Sequence, residues 1–413
     1  MPRPSHPLHY PTAHLALLTL VLAAVSVRVL YVPLASQHDP YLVADSLFGD
    51  ARSYDAIAVN LLRGEGFAEY AGQPTSSRAP LYPAFLAAVY AIAGHRTLAV
   101  RVVQALLGAG TVALTYLIGR RLFGSRAALW ATLVMALNPI AIYFGAWIIN
   151  ETLFLFALLL TFWAAIQASE QPSLPWLAAL GLLQGALALI RPQAMLLWPL
   201  VPLWAVRIRG RQRWGTAARQ TLLVLLVTVL TVAPWVVRNQ RLHGAPVLID
   251  THGGWTLYGS YGDENFGNFV VRYATQAEGL SEYEQDRLYY RLTWQWIRDH
   301  PQQALRLIPQ KVVRLFSPLA AVDREYALPF SAAIKLGYAL FLGLAAVGMI
   351  MSLARWRDAW LLYASLGTTV LTAIVFYGCT RFSLPMQPAL ALFAALPTAR
   401  LLGQRVGPAA RQP

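Results

Sequence analysis

Cysteine is all but absent from this chain. Cys379 stands alone, which rules out an internal disulfide, a Cys-x-x-Cys motif and a multi-cysteine metal site. A lone thiol beside an apolar run reads as a small packing residue. Charge is scarce too: 13% of residues are charged, against about 25% in soluble domains. With 57% hydrophobic residues over 413 positions and a mean hydropathy of +0.47, the chain reads as a polytopic membrane protein. The net charge is +14, yet Lys occurs only at 311 and 335, so nearly every basic residue is Arg. Those Arg residues punctuate apolar runs instead of forming a stripe, and no zinc-finger spacing or RNA-binding motif occurs. Nucleic acid is therefore not an expected partner. No HExxH or GxSxG stretch is present, so zinc and serine hydrolysis lack support. Gly64-Glu-Gly66 and Gly108-Ala-Gly110 are not phosphate loops, because neither follows a strand and opens a helix with Lys-Ser/Thr.

Apolar runs of helix length fall near 14–34, 98–119, 127–147, 152–168, 174–190, 193–206, 220–238, 331–353, 359–377 and 382–401. A bilayer core needs about 20 residues per helix, so 193–206 is short, and 81–94 fits the interface better than the core. The first run is long, carries Arg28 and leads into further spans, so it is expected to stay as an uncleaved helix. The fold class expected is all-α and polytopic, with about ten transmembrane helices, outer loops and juxtamembrane helices. Three parts follow: a catalytic module over 1–238 that includes the outer loop 35–97, a large outer loop or lid over 239–330, and C-terminal helices with a basic tail over 331–413.

The Arg bias orients the bundle. Arg120, Arg121 and Arg126 mark one turn, Arg207, Arg209, Arg211, Arg213 and Arg219 a second, Arg355 and Arg357 a third, and Arg400, Arg405 and Arg411 the tail. All lie on the cytoplasmic side of a ten-span arrangement, with both termini. Asp39, Asp45, Asp50, Asp55, Glu65 and Glu69 then lie outside, with ten acids of loop 239–330, while only Glu170 and Asp358 face inward. In the large loop, residues 250–263 are rich in glycine and aromatics and read as a loop or short strands. Ser281 to Ile297 reads as an amphipathic helix, and His300-Pro301 opens another that runs to Phe316.

Two stretches of the first outer loop carry the chemistry: Gly49-Asp50-Ala51-Arg52-Ser53-Tyr54 and Arg78-Ala79-Pro80-Leu81-Tyr82-Pro83. Asp50 precedes Tyr54 by one helical turn, so the two share a face of a short helix. Glu151 follows Asn150 where one span ends and the next begins, and an acid at that depth usually has a partner or a task. Arg78, Arg191, Arg238 and Arg381 fall at outer span ends beside helix breakers or polar residues, where a positive-inside bias makes Arg less expected. Together they suggest an anionic ligand. Arg52 and Arg63 are weaker candidates. Asn239 and Tyr82 support the set, and His252 either touches a sugar or shapes a turn.

These residues resemble the polyprenyl-phosphate-sugar-dependent glycosyltransferases of the GT-C fold. The kin suggested are bacterial relatives of the protein O-mannosyltransferases and of the aminoarabinose transferases that modify lipid A. The resemblance rests on Asp50 with Tyr54, Arg78-Ala-Pro-Leu-Tyr-Pro83, Arg120-Arg-Leu-Phe-Gly124, Leu137-Asn-Pro139 and Glu151. Ile190-Arg-Pro192, Ala233-Pro-Trp-Val-Val-Arg-Asn239 and Arg381-Phe-Ser-Leu-Pro385 echo it more weakly. The chain departs from the pattern at Ala51, where many relatives have a second acid, at Arg78, where they have Lys or His, and at Glu151, where they often have Asp.

The resemblance implies that Asp50 is the catalytic base or a metal-linked acid and that Glu151 supports it. The reaction expected is an inverting transfer from a lipid-phosphate sugar to an acceptor hydroxyl: one acid removes the proton, and Arg78, Arg191, Arg238 and Arg381 stabilise the leaving phosphate. No nucleotide site and no organic cofactor are needed. A divalent ion, if one takes part, would sit on Asp50 and Glu151. The partners expected are the polyprenyl-phosphate donor, an acceptor protein, lipid or glycan, and membrane lipids. The location expected is the cytoplasmic membrane with the site on its outer face. The alternative is a transporter or flippase of lipid-linked or anionic solutes, but transporters place ionisable residues near mid-membrane and these spans hold no acid.

Overall fold

A computed structural model describes residues 10–35, 47–262, 265–318 and 331–401. The helices run α1 Tyr10–Ala35, α2 Asp50–Leu62, α3 Leu81–Ala93, α4 Thr97–Phe123, α5 Ser125–Ala136, α6 Pro139–Gly145, α7 Glu151–Glu170 and α8 Leu174–Ile190. They continue with α9 Leu200–Leu203, α10 Trp214–His243, α11 Gly253–Tyr258, α12 Glu282–Asp299, α13 Pro301–Leu315, α14 Ser331–Ser352, α15 Trp356–Val375 and α16 Gln387–Leu401. A small antiparallel hairpin, β1 Ala68–Tyr70 and β2 Gln73–Pro74, follows α2.

The class expected is the class found: an all-α polytopic membrane protein. Among the described residues six helical runs are long and apolar enough to cross a bilayer, or seven if the bent pair α5–α6 is one span, and α3 and α8 are shorter apolar helices. This does not establish the ten spans. Residues 193–206 are no regular span but a 3₁₀ turn, the single turn α9 and the start of a π-helical stretch. Three prolines, 192, 199 and 202, lie in or beside that run and interrupt its hydrogen-bond ladder. The run near 127–147 breaks at Asn138-Pro139, with a bend of 48°. The stretch at 250–263 also departs from expectation, since α11 occupies it and no strand forms there among the described residues. The two amphipathic helices expected over 281–316 do form, and Ser281 and Glu284 close a capping box at the start of α12.

The α5–α6 break is made tolerable by Arg28. A helix end leaves carbonyls without partners, and none is tolerated bare inside a bilayer. Arg28, buried on α1, donates to Ala24 O on its own helix and to Met135 O and Ala136 O at the end of α5. At the far end of α6, Arg101 donates to Ala146 O, and Gln104 donates to Gly145 O and Trp147 O. Arg28 and Arg101 thus serve carbonyls at these helix ends.

Close packing explains the small residues of α8. A Cβ on Gly181 would meet Val227 Cβ at 2.7 Å and Val224 O at 2.8 Å, and one on Gly185 would meet Thr231 Cβ at 2.5 Å. The Gly181-x-x-x-Gly185 face therefore lets α10 approach to backbone contact, and Thr228 Oγ1 donates to Gly181 O at 3.2 Å.

Charged residues gather at the two ends of the bundle. At one end Arg121 pairs with Glu170, and Arg209 with Glu170 and Asp358, which joins three of the Arg-marked turns on a single side. Helix α7 carries Glu170 at that end and Glu151 at the other.

Candidate active site

The end of α7 that bears Glu151 opens on a cavity of about 780 Å³. Local sequence sets each of its walls. Gly49 adopts φ 53°, a left-handed value that glycine tolerates, and so turns the chain to start α2 at Asp50. Pro192 forces an extended conformation on Arg191, which ends α8 and turns its guanidinium toward α7. Asn150 ties these pieces together by donating to Tyr54 Oη at 3.0 Å and to Ile190 O at 3.1 Å. After α15 the chain loses helical form and re-enters as a 3₁₀ turn, Thr380–Met386, that presents Arg381.

The result is one connected charge cluster. Asp50 Oδ1 lies 3.0 Å from Arg78 Nη1, and its Oδ2 lies 2.7 Å from Arg381 Nη1. Arg381 Nε also donates to Glu151 Oε1, which Arg191 Nη1 approaches at 3.0 Å. Glu151 is 1% exposed, and its Oε2 has no hydrogen-bond partner among the described residues. Arg78 stacks over the Tyr54 ring, and Arg191 lies between the Phe154 and Phe382 rings. Burial opposes the charge on Asp50, but Arg78 and Arg381 outweigh it and hold the carboxyl far below its usual range. The same pairing raises the pKa of Arg78 against the effect of burial. Three guanidinium groups and two carboxylates thus share one network beside the cavity.

The structure thus brings together Asp50, Glu151, Arg78, Arg191 and Arg381. Tyr54 and His252 line the same cavity. Burial, aided by Arg78, lowers the His252 pKa to about 3, so its imidazole is neutral. Three expected members stand elsewhere. Arg238 donates to Thr75 O, Ser76 Oγ and Phe67 O, bracing the first outer loop instead of facing the cavity. Asn239 is fully buried and donates to Val247 O and Ile249 O. Tyr82 is buried behind Tyr54 and donates to Gln104. Arg52 and Arg63 do not line the cavity either. Buried Cys379 fits the packing role expected of it.

Two features differ from the expectations drawn on Asp50. Both of its oxygens are engaged by guanidinium, so in this state it is a weak base. Nor does the Asp50–Glu151 pair suit a divalent ion. Arg381 already bridges the two acids, and no group of three acids, histidines or cysteines stands together among the described residues.

Apart from His252, the upper wall of the cavity was not legible in the sequence. It comes from the segment between α10 and α13: Asp250, His252, Trp255, Asp286, Arg287 and Tyr290. Gly253-Gly254 permits it, because a Cβ at either position would strike Tyr290 or Asp286. Asp286 Oδ1 accepts from Gly254 N–H at 2.6 Å. The glycine pair was a visible signal, but its meaning depends on where α12 packs.

Comparison with known proteins defines the class. Residues 77–237, less than half of the chain, match the family of dolichyl-phosphate-mannose-protein mannosyltransferases. No curated protein matches the chain by sequence. Among solved structures, the apo oligosaccharyltransferase of Archaeoglobus fulgidus is similar with a TM-score of 0.59 at 13% identity, over 96% of this chain and 51% of that one. The oligosaccharyltransferase AglB from Archaeoglobus fulgidus, in complex with an inhibitory peptide and a dolichol-phosphate, gives 0.51 at 14% identity, over 95% and 50%. ArnT from Cupriavidus metallidurans bound to undecaprenyl phosphate gives 0.48 at 16% identity, over 93% and 77%. The chain spans about half the length of the oligosaccharyltransferases it matches. Its fold is that of these multi-pass membrane proteins, the GT-C fold that its sequence resembles.

Proposed function

We propose that the chain is a membrane glycosyltransferase that moves a sugar from a polyprenyl-phosphate donor to an acceptor hydroxyl. The observation that carries this reading is the convergence of Arg78, Arg191 and Arg381, with Asp50 and Glu151, on one large cavity. A phosphodiester gains negative charge as its sugar leaves, and preorganised guanidinium groups screened from water stabilise such charge. Asp50 and Glu151 hold those groups in place and neutralise part of their mutual repulsion. The family match over 77–237 and the AglB complex with a dolichol-phosphate support a lipid-phosphate donor. The acceptor is a protein, lipid or glycan hydroxyl.

The site faces outward in this reading, because the Arg-marked turns gather at the opposite end of the bundle. The native thiol is buried, so introduced cysteines report cleanly. In intact cells a membrane-impermeant maleimide should label Glu278→Cys and spare Arg213→Cys; the reverse pattern would overturn the orientation.

The reaction itself is tested by incubating the purified full chain with a panel of labelled polyprenyl-phosphate sugars, undecaprenyl-phosphate mannose and glucose among them. Consumption of one donor, lost in Arg381→Ala, is the expected result. Binding of bare undecaprenyl phosphate that ignores Arg78, Arg191 and Arg381 would sink the reading.

A further inference from the structure

Three carboxylates line the cavity, and they differ in what already holds them. Asp50 gives one oxygen to Arg78 and the other to Arg381. Asp286 is fixed by the short bond from Gly254 N–H. Among the described residues Asp250 has no guanidinium or hydroxyl partner; its hydrogen bond is a long one, 3.4 Å, from His252 N–H. It lines the same cavity as Arg78, Arg191 and Arg381, and the charge of Arg78 acts on it. A general base needs a free lone pair, reach to the reacting hydroxyl and a place next to the carbon being attacked.

We infer that Asp250, held by the outer loop over the arginine cluster, is the catalytic residue that takes the proton from the acceptor hydroxyl. The inference rests on the transferase reading. As the acceptor oxygen forms its bond to the anomeric carbon, the bond from that carbon to the phosphate oxygen breaks. The electron pair leaves with the phosphate, which becomes a monoester held by Arg78, Arg191 and Arg381. The hydroxyl proton passes to an Asp250 oxygen, leaving a neutral carboxylic acid. Product release and return of the proton to solvent restore the carboxylate.

The surroundings suit that task. Burial raises the pKa of Asp250, the nearby charges of Asp286 and Glu282 on α12 add to the effect, and His252 N–H and Arg78 oppose it, leaving it at about 7. A base poised near the working pH is the most effective kind. Tyr290 on the same α12 face, with its own pKa raised to about 12 by burial and by the charges of Asp286 and Asp250, stays neutral. His252 is neutral as well, so neither competes for the proton as an anion. Asp50, by contrast, is held as a charge-paired anion of low basicity. The outer loop therefore supplies a reacting group as well as a cover.

The test uses the full chain with whichever donor of the panel the wild type consumes. For Asp250→Asn, kcat should fall a hundredfold or more while the affinity for bare undecaprenyl phosphate stays within twofold. The wild-type profile of kcat/KM against pH should show an acid limb near 7, and Asp250→Asn should lack it. Asp250→Glu, which keeps the carboxylate, should recover part of the rate. Retained binding of undecaprenyl phosphate shows that the variant is folded. Turnover of Asp250→Asn within threefold of the wild type, or an unchanged acid limb, would overturn the assignment. An acid limb lost in Asp50→Asn instead would put the proton on Asp50. If the wild type consumes no donor of the panel, the transferase reading fails and the Asp250 role falls with it, an outcome distinct from an active enzyme indifferent to Asp250.

Discussion

Helix α7 carries an acid at each end, and the two ends behave as opposites. They lie about 28 Å apart, at 1.5 Å per residue. At the Glu170 end, Arg121 and Arg209 meet Glu170 and Asp358, two cations and two anions, with Arg121 at 38% and Asp358 at 41% side-chain exposure. At the Glu151 end, three arginines meet two acids, Glu151 is 1% exposed, and a cavity adjoins. The same ion-pair chemistry therefore does two things. Exposed, it clips helix ends together. Buried beside a cavity, it holds guanidinium groups in place where an anion can meet them.

The largest contrast should appear in stability. Removing Glu151 strands Arg191 in a buried setting and leaves Arg381 with Asp50 alone, so Glu151→Ala should cost about 3–5 kcal/mol. Glu170→Ala should cost at most about 1 kcal/mol. Thermal unfolding of both variants in one detergent measures the difference, and equal losses would break the comparison.

Ligand binding should divide the ends next. A guanidinium holds phosphate through two parallel bonds that an ammonium cannot copy. Arg78→Lys and Arg381→Lys should weaken undecaprenyl phosphate roughly ten- to a hundredfold, the worth of a charge-assisted bond. Arg209→Lys should leave it unchanged, and so should Arg238→Lys, since Arg238 braces the loop. Titration of the ligand by quenching of tryptophan fluorescence reads all four.

The pH response sharpens the contrast further. Asp250 has a folded pKa of about 7, above its unfolded value. The folded state therefore holds the extra proton, and this residue should lower stability progressively as pH rises from about 4 to about 7. Asp250→Asn should flatten that decline, with little effect near pH 4 and a higher melting temperature than the wild type at pH 8. A decline unchanged in the variant would show that Asp250 does not cause it. The smallest effect should be that of salt at the other end. The loss in Asp358→Asn, below about 1 kcal/mol, should shrink further in 1 M salt as the exposed pair is screened.

Local features of the sequence were readable wherever local physics decides the outcome. The capping box at Ser281, the proline that opens α13 and the helical spacing of Asp50 and Tyr54 all appear as expected, because each depends on neighbours within a turn. The run at 193–206 was harder: its apolar character was plain, but prolines 192, 199 and 202 bend it in a way that composition does not foretell. Arg238 shows the limit of reasoning from chain position. It sits at an outer span end like Arg191 and Arg381, yet its helix α10 directs it to the carbonyls of the first outer loop.

By itself the sequence determined that this is an arginine-rich bundle of apolar helices, with its acids concentrated in two loops and with Asp50, Glu151, Arg78, Arg191 and Arg381 as polar candidates. Hydropathy, helix breakers and charge sign act locally and are written residue by residue. Only the tertiary structure decided which of those charges meet. Asp50 and Arg381 are 331 positions apart, and they touch because α2, α7, α8 and the turn after α15 converge on one end of the bundle. It alone also decided that Asp50 is paired at both oxygens while Asp250, an unremarked loop acid, faces the same cavity unpaired. Pairing in a low-dielectric interior is a property of packing, and packing is settled by the whole chain at once.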